Sequence, residues 1–90
     1  MKTLKLTISG IVQGVFFRKF IKDNAEELEL QGHVRNLDNS KVEAVIQGNQ
    51  ENIKEMIERC KKGSLDSKVK EIEIDEIPNQ DFKEFKIIRF

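Results

Sequence analysis

The stretch Gly10-Ile-Val-Gln-Gly-Val-Phe-Phe-Arg18 gathers, at close spacing, residue types that could do chemistry. It lies between an alternating apolar run and a helical one, so it joins a strand end to a helix start. Backbone N–H groups at a helix start lack partners, and the aligned peptide dipoles add partial positive charge there. With Gly14 in it, the loop can curl so that successive amides converge on one anion. Arg18 falls in the first helical turn, where a cation opposes the dipole unless a bound anion compensates it. A guanidinium beside converging amides is matched to a tetrahedral oxyanion. The same residues also read as a plain turn glycine and a solvated helix arginine, and residue types alone leave both readings open.

The remaining composition narrows the chemistry. One cysteine, Cys60, and one histidine, His33, rule out an intramolecular disulfide and a closed Cys/His zinc site within one chain. No Cys or His arrangement suited to nucleophilic catalysis is present. Sixteen basic and 16 acidic residues give a net charge of zero, which argues against a protein that coats nucleic acid. Phe16 and Phe17 beside Arg18 make a poor base-stacking platform in a chain without Tyr or Trp. They read better as one ring in the core and one near the loop surface. Cys60 sits on an apolar helix stripe and reads as a small buried hydrophobe. No apolar run approaches the ~20 residues of a membrane helix. The first residues alternate apolar and polar, which is a strand pattern and not a signal peptide. A cytoplasmic location is therefore expected, where a lone thiol stays reduced.

The elements that must hold the loop follow from changes of period. Leu4, Leu6 and Ile8 alternate with Lys5 and Thr7, a half-buried strand. Gly10 and Gly14 bracket a turn. Phe17, Phe20, Ile21, Ala25 and Leu28 share one face of a helix. His33 to Leu37 and Val42 to Ile46 read as a hairpin about Asp38-Asn39-Ser40. Asn49 is an N-cap for a second helix carrying Ile53, Met56, Ile57 and Cys60, with Gly63 at its C′ position. On that helix Glu51 and Glu55 repel, and Glu58 and Lys62 attract. Val69 to Ile74 is a fourth strand with a bulge between Val69 and Ile72. After a break at Pro78-Asn79, Phe85 to Phe90 is a short fifth strand at an edge. The order predicts an α+β, ferredoxin-like (βαββαβ) two-layer sandwich over residues 1–90 as one domain. Both helices lie on one face of a mainly antiparallel sheet. The other face, with Lys5, Thr7, Glu43 and Val45, is expected to meet water.

Gly10, Val12, Gln13, Gly14, Val15, Phe17 and Arg18 match the signature G-x-V-Q-G-V-x-F-R of the acylphosphatase family. Gly32-His-Val-Arg-Asn36, followed by Val42, Glu43, Ala44 and Gly48, is similar to that family's second block. Phe85 to Phe90 resembles its closing strand. The resemblance implies a metal-free, cofactor-free hydrolase that converts a small acyl phosphate to a carboxylate and inorganic phosphate. It implies that Arg18 binds the phosphoryl group and that Asn36 orients the attacking water. Gln13, Gly14, Val15, Phe16 and Phe17 complete the substrate-binding loop with Arg18, which is expected to be the only side-chain cation of the cradle. The partner implied is a small molecule, with no nucleic acid and no membrane, bound by a monomer. The chemistry is consistent with the missing acid and base. An acyl phosphate expels a carboxylate whose conjugate acid has a pKa near ~4, so the leaving group needs no proton. A loose phosphoryl-transfer transition state asks for positioning and charge stabilisation, which one Arg, several amides and one Asn can supply.

The sequence departs from the family pattern at four places. His33 replaces an aromatic residue and is expected to pack. Asn39-Ser40 replaces Asp-Gly in the hairpin turn, where Asn tolerates positive φ. Glu29 replaces a glycine that ends the first helix, at roughly 1 kcal/mol if it turns left-handed. Ser64 follows Gly63 where a proline is common. Two other readings compete with the enzyme: a non-catalytic module binding phosphate or carbamoyl phosphate inside a larger protein, and a ferredoxin-like ligand- or RNA-binding domain. The intact Arg18 and Asn36, the length of 90 residues and the few exposed aromatics favour the enzyme. Hydrolysis of benzoyl phosphate is expected to be unchanged by EDTA; inhibition reversed by added metal would show a metal site instead.

Overall fold

Leu4, Leu6 and Ile8 alternate because they form the buried row of a central strand, and the rest of the sheet assembles on that row. In the computed structural model, which describes residues 1–89, the elements are β1 (Lys2–Ile11), α1 (Phe17–Glu27), β2 (Gln31–Asn36), β3 (Val42–Gly48), α2 (Gln50–Lys62), β4 (Lys68–Ile77) and β5 (Phe85–Ile88). They form one sheet in the order β4-β1-β3-β2-β5, antiparallel except where β5 runs parallel to β2. Register sets Leu4 opposite Ile46, Leu6 opposite Ala44, and Ile8 opposite Val42, while Val34 of β2 faces Ala44 from the other side. These residues and the stripes Phe17, Ile21, Ala25 and Ile53, Met56, Cys60 of the two helices form the core. The architecture is the expected ferredoxin-like sandwich.

Local signals explain most boundaries. The Asn49 side chain accepts a hydrogen bond from the Asn52 amide (2.8 Å) and starts α2. Gly63 ends it at φ 75°, donating its N–H to the Arg59 carbonyl (2.9 Å). Glu58 pairs with Lys61 (3.3 Å) rather than with Lys62, and Glu55 pairs with Arg59 (3.1 Å). Arg59 also reaches Asn24 (3.0 Å) and Glu27 on α1, tying the helices together. Burial pushes the Cys60 thiol up to about 12, which fits a packing residue and not a nucleophile. The expected bulge is present: Ser9 pairs with Glu71 and Gly10 with Val69, leaving Lys70 as the extra residue. It lengthens the first strand to Ile11, so Gly10 is a strand residue and not a turn residue. A Cβ at Gly10 would overlap the Lys68 carbonyl oxygen, so glycine permits the close approach of β4. The expected fifth strand is described as Phe85–Ile88, and Phe90 lies outside the described residues.

The second face of the sheet is not simply open to water. β4 and β5 are opposite edges, and the helices fill one face, so the chain between them must cross the other. Along that crossing Asn79 accepts from the Thr3 hydroxyl (2.7 Å), and the Gln80 backbone exchanges two hydrogen bonds with the Gln47 side chain (2.8 and 2.9 Å). Phe82 meets the His33 ring edge-on, with centroids 5.8 Å apart. Val45 is accordingly 3% exposed, and Thr3 and Gln47 are buried. Lys5, Thr7 and Glu43 are half-buried. Partial burial lowers the His33 pKa from the usual imidazole value; Glu43 opposes that shift and Arg35 adds to it. His33 therefore packs, as expected.

Both altered turns keep their geometry. In the hairpin the positive φ falls on Ser40 (70°) and not on Asn39, whose side chain instead accepts from the Lys41 amide (3.2 Å). The Leu37 amide closes the turn on the Lys41 carbonyl (2.8 Å), and Asn36 stays in register opposite Val42. At the end of α1, Glu29 is left-handed (φ 57°). Its N–H reaches the Glu26 carbonyl (3.0 Å), and that of Leu30 reaches the Ala25 carbonyl (2.8 Å), the two bonds of a Schellman motif. Glycine fits that position without the Cβ clash. Glu29→Gly is expected to stabilise the fold by about 1 kcal/mol, read as a higher urea midpoint at unchanged m-value; an unchanged or lower midpoint would show that Glu29 carries no strain.

Candidate active site

β1 ends past its bulge, and the loop Val12–Phe16 connects it to α1. Val12 is buried at the loop's base. Gly14 has φ 75° with open space where a Cβ would lie, so conformation and not room calls for glycine there. Phe16, the N-cap residue, is left-handed as well (φ 57°, ψ 26°). For a bulky residue that costs about 1–2 kcal/mol. No side chain caps α1, and its first turn holds no acidic residue. The Phe20 amide donates to the Phe16 carbonyl (3.1 Å), and the amides ahead of it have no side-chain acceptor among the described residues. Phe17 locks the turn to the core: it is 1% exposed and stacks on Phe20 with centroids 5.6 Å apart.

This turn forms one side of a pocket of about 610 Å³. Gly14, Phe16, Phe17 and Arg18 line it from the loop and the start of α1. Asn36 lines it from the end of β2, and Ile87 and Arg89 from the last strand and its continuation. A smaller neighbouring depression shares Arg18, Asn36 and Arg89. Asn36 arrives there because it lies in register opposite Val42, which is itself opposite Ile8 near the end of β1. Its carboxamide has no hydrogen-bond partner among the described residues and is exposed to the pocket's solvent.

The side chains of two of the sequence-predicted loop residues have partners within the protein. Gln13 is not on the pocket wall. Its Nε2 donates to the carbonyls of Leu37 (2.9 Å) and Lys41 (2.8 Å), so it staples the loop to the hairpin turn just beyond Asn36. Val15 packs against the core. Arg18 is also not the sole cation. Lys19 and Lys22 border the pocket, each paired along the helix, with Asp23 (2.8 Å) and Glu26 (3.4 Å). Arg89 joins them because β5 pairs in parallel with β2: Ile88 is opposite Arg35, so the next residue falls beside Asn36. The sequence signal for Arg89 was its place one residue after a strand pairing with the Asn36 strand, a pairing no local pattern reveals. Among the described residues no three His, Cys, Asp or Glu side chains converge as a metal site would require.

The chain matches the family model described as Acylphosphatase over residues 4–87. It is 38% identical to an acylphosphatase of Acaryochloris marina over 86 residues, which is 96% of this chain and 92% of that protein. The crystal structure of acylphosphatase from Bacillus subtilis superposes with a TM-score of 0.94 at 32% identity, covering 99% of this chain and 100% of that one. Full-length HypF, in a phosphate- and nucleotide-bound form, is similar over 98% of this chain, with a TM-score of 0.86 and 32% identity, but over only 12% of its own length.

The staple from Gln13 has a measurable consequence. Gln13→Ala is expected to lower stability by about 1 kcal/mol and to speed hydrogen exchange at the Leu37 amide. Gln13→Glu is expected to lose as much, because a carboxylate cannot donate to two carbonyls. Wild-type exchange at Leu37 in both variants would show that the staple does not hold the turn.

Proposed function

The chain belongs to the acylphosphatase family and hydrolyses acyl phosphates, and we propose that the pocket shared by Arg18 and Asn36 is where it does so. The observation that carries this reading is the meeting of an uncapped helix start, an arginine and an exposed carboxamide in one cavity. In this reading the amides from Gly14 to Arg18 and the Arg18 guanidinium receive the phosphoryl oxygens. The Asn36 carboxamide holds a water against the phosphorus, opposite the leaving carboxylate. The water oxygen bonds to phosphorus as the bond to the acyl oxygen breaks; the carboxylate leaves with the electron pair, and the water protons remain with inorganic phosphate and solvent. The leaving group is a weak base, so no side chain has to donate a proton to it. Charge stabilisation by fixed donors then supplies the main rate enhancement. The substrate is a small-molecule acyl phosphate, taken by a monomer in the cytoplasm with no nucleic-acid partner. No helix among the described residues is long and apolar enough to cross a membrane.

With Arg89 and the paired lysines still at the pocket, Arg18→Ala is expected to retain weak phosphate binding. Its kcat/KM for benzoyl phosphate should fall about 100- to 1,000-fold. Asn36→Ala should lose a similar factor in kcat while inorganic phosphate inhibits it as it inhibits the wild type. Equal loss of phosphate affinity in both variants would make Asn36 a binding residue and not the water-positioning one.

A further inference from the structure

Phe16 is 83% exposed, is not part of the core cluster, and sits in a left-handed conformation that disfavours a bulky side chain. Its neighbours on either side turn inward: Val15 packs against the core and Phe17 is buried in it. Phe16 and Phe17 both line the pocket, and of the two only Phe16 has an exposed side chain. A large apolar ring held in water at a strained backbone position contributes little to folding. It gains only when something apolar covers it. The pocket's lining also includes the apolar residues Val12, Phe17 and Ile87, beside the cations and Asn36. A substrate anchored by its phosphoryl group at Arg18 therefore has both kinds of surface within one cavity.

Resting on the acyl phosphate reading above, we infer that Phe16 is a specificity-determining residue: its ring covers the acyl group, and the enzyme favours acyl phosphates with a flat or extended apolar acyl group over acetyl phosphate. The anionic end of the substrate is the same for every acyl phosphate, so Arg18, the amides and Asn36 treat all of them alike. Discrimination has to come from the part that differs, and among the described residues Phe16 is the one large exposed apolar side chain that the pocket offers it. An apolar contact of this size discriminates by about 10-fold or somewhat more.

The test is the ratio of kcat/KM for benzoyl phosphate to that for acetyl phosphate, measured in the wild type, Phe16→Ala and Phe16→Leu. Damage to the phosphate turn slows both substrates together and leaves the ratio alone. The expected result is a ratio above one in the wild type that falls about 10-fold in Phe16→Ala and is largely restored in Phe16→Leu. A ratio unchanged in Phe16→Ala, whatever the absolute rates, would overturn the inference and leave Phe16 a turn residue only. Hydrolysis of neither substrate by folded wild-type protein would overturn the acyl phosphate reading, and the inference with it; equal hydrolysis of both by the wild type would overturn the inference alone.

Discussion

The pairing register of β1, β3 and β2 is the constraint on which the rest depends. Side chains alternate faces along a strand, so a slip of one residue in either pairing would send the core row to the wrong side. With Ile8, Val42 and Asn36 aligned across three strands, the residue that ends β2 stands on the helix-facing side beside the end of β1. The loop Val12–Phe16 springs from that same end. Asn36 and Arg18 are 18 positions apart in sequence, and hydrophobic alignment of the central strands is what brings them to one pocket. The core thus fixes the site as well as the fold.

The second requirement is that the turn stay in place once the strands have delivered it. Its own backbone does not favour it, since Phe16 is left-handed without being glycine. Tertiary contacts hold it instead. Val12 and Phe17 bury themselves on either side, and Gln13 bonds across to the hairpin. The hairpin end of that staple is the turn following Asn36, so one carboxamide links the loop before α1 to the strand end that carries Asn36. This also explains why Asn39-Ser40 does not displace Asn36. The turn is closed by the bond from the Leu37 amide to the Lys41 carbonyl and braced at the carbonyls of both residues by Gln13, so the strain at Ser40 stays local.

Local features were legible in the sequence because their causes are local. The stripe of Ile53, Met56 and Cys60, the Asn49 cap and the left-handed Glu29 each follow from residues within one turn of the element concerned. The bulge was legible because an apolar parity shift between Val69 and Ile72 has no other regular explanation. The two-block resemblance carried Arg18 and Asn36. What escaped were consequences of pairings between distant segments. Arg89 reaches the pocket only because β5 runs parallel to β2 at the sheet edge, and the burial of Val45 follows from a crossing that the positions of β4 and β5 impose. Gln13 escaped for a different reason. Its place in the signature suggested substrate contact and gave no sign that its side-chain amide donates to two protein carbonyls. A motif position marks a residue that the site requires, without saying whether it touches the ligand or holds the residues that do.

Among the described residues three that are not glycine take positive φ, and their settings differ in a way that bears on function. Glu29 and Ser40 stand where a chain reversal must be made, at a helix end and a hairpin tip, and any residue occupying those places meets the same demand. Their side chains are exposed and polar, so the strain is the whole cost. Phe16 adds a second cost, because its ring is apolar and solvated. A turn needing only a left-handed residue would be served better by Gly or Asn, which adopt it with less strain and no apolar exposure. Folding therefore does not account for a phenylalanine at this position. The bound state proposed above accounts for it: with the phosphoryl group at the loop amides, the exposed ring offers apolar surface to the remainder of the substrate.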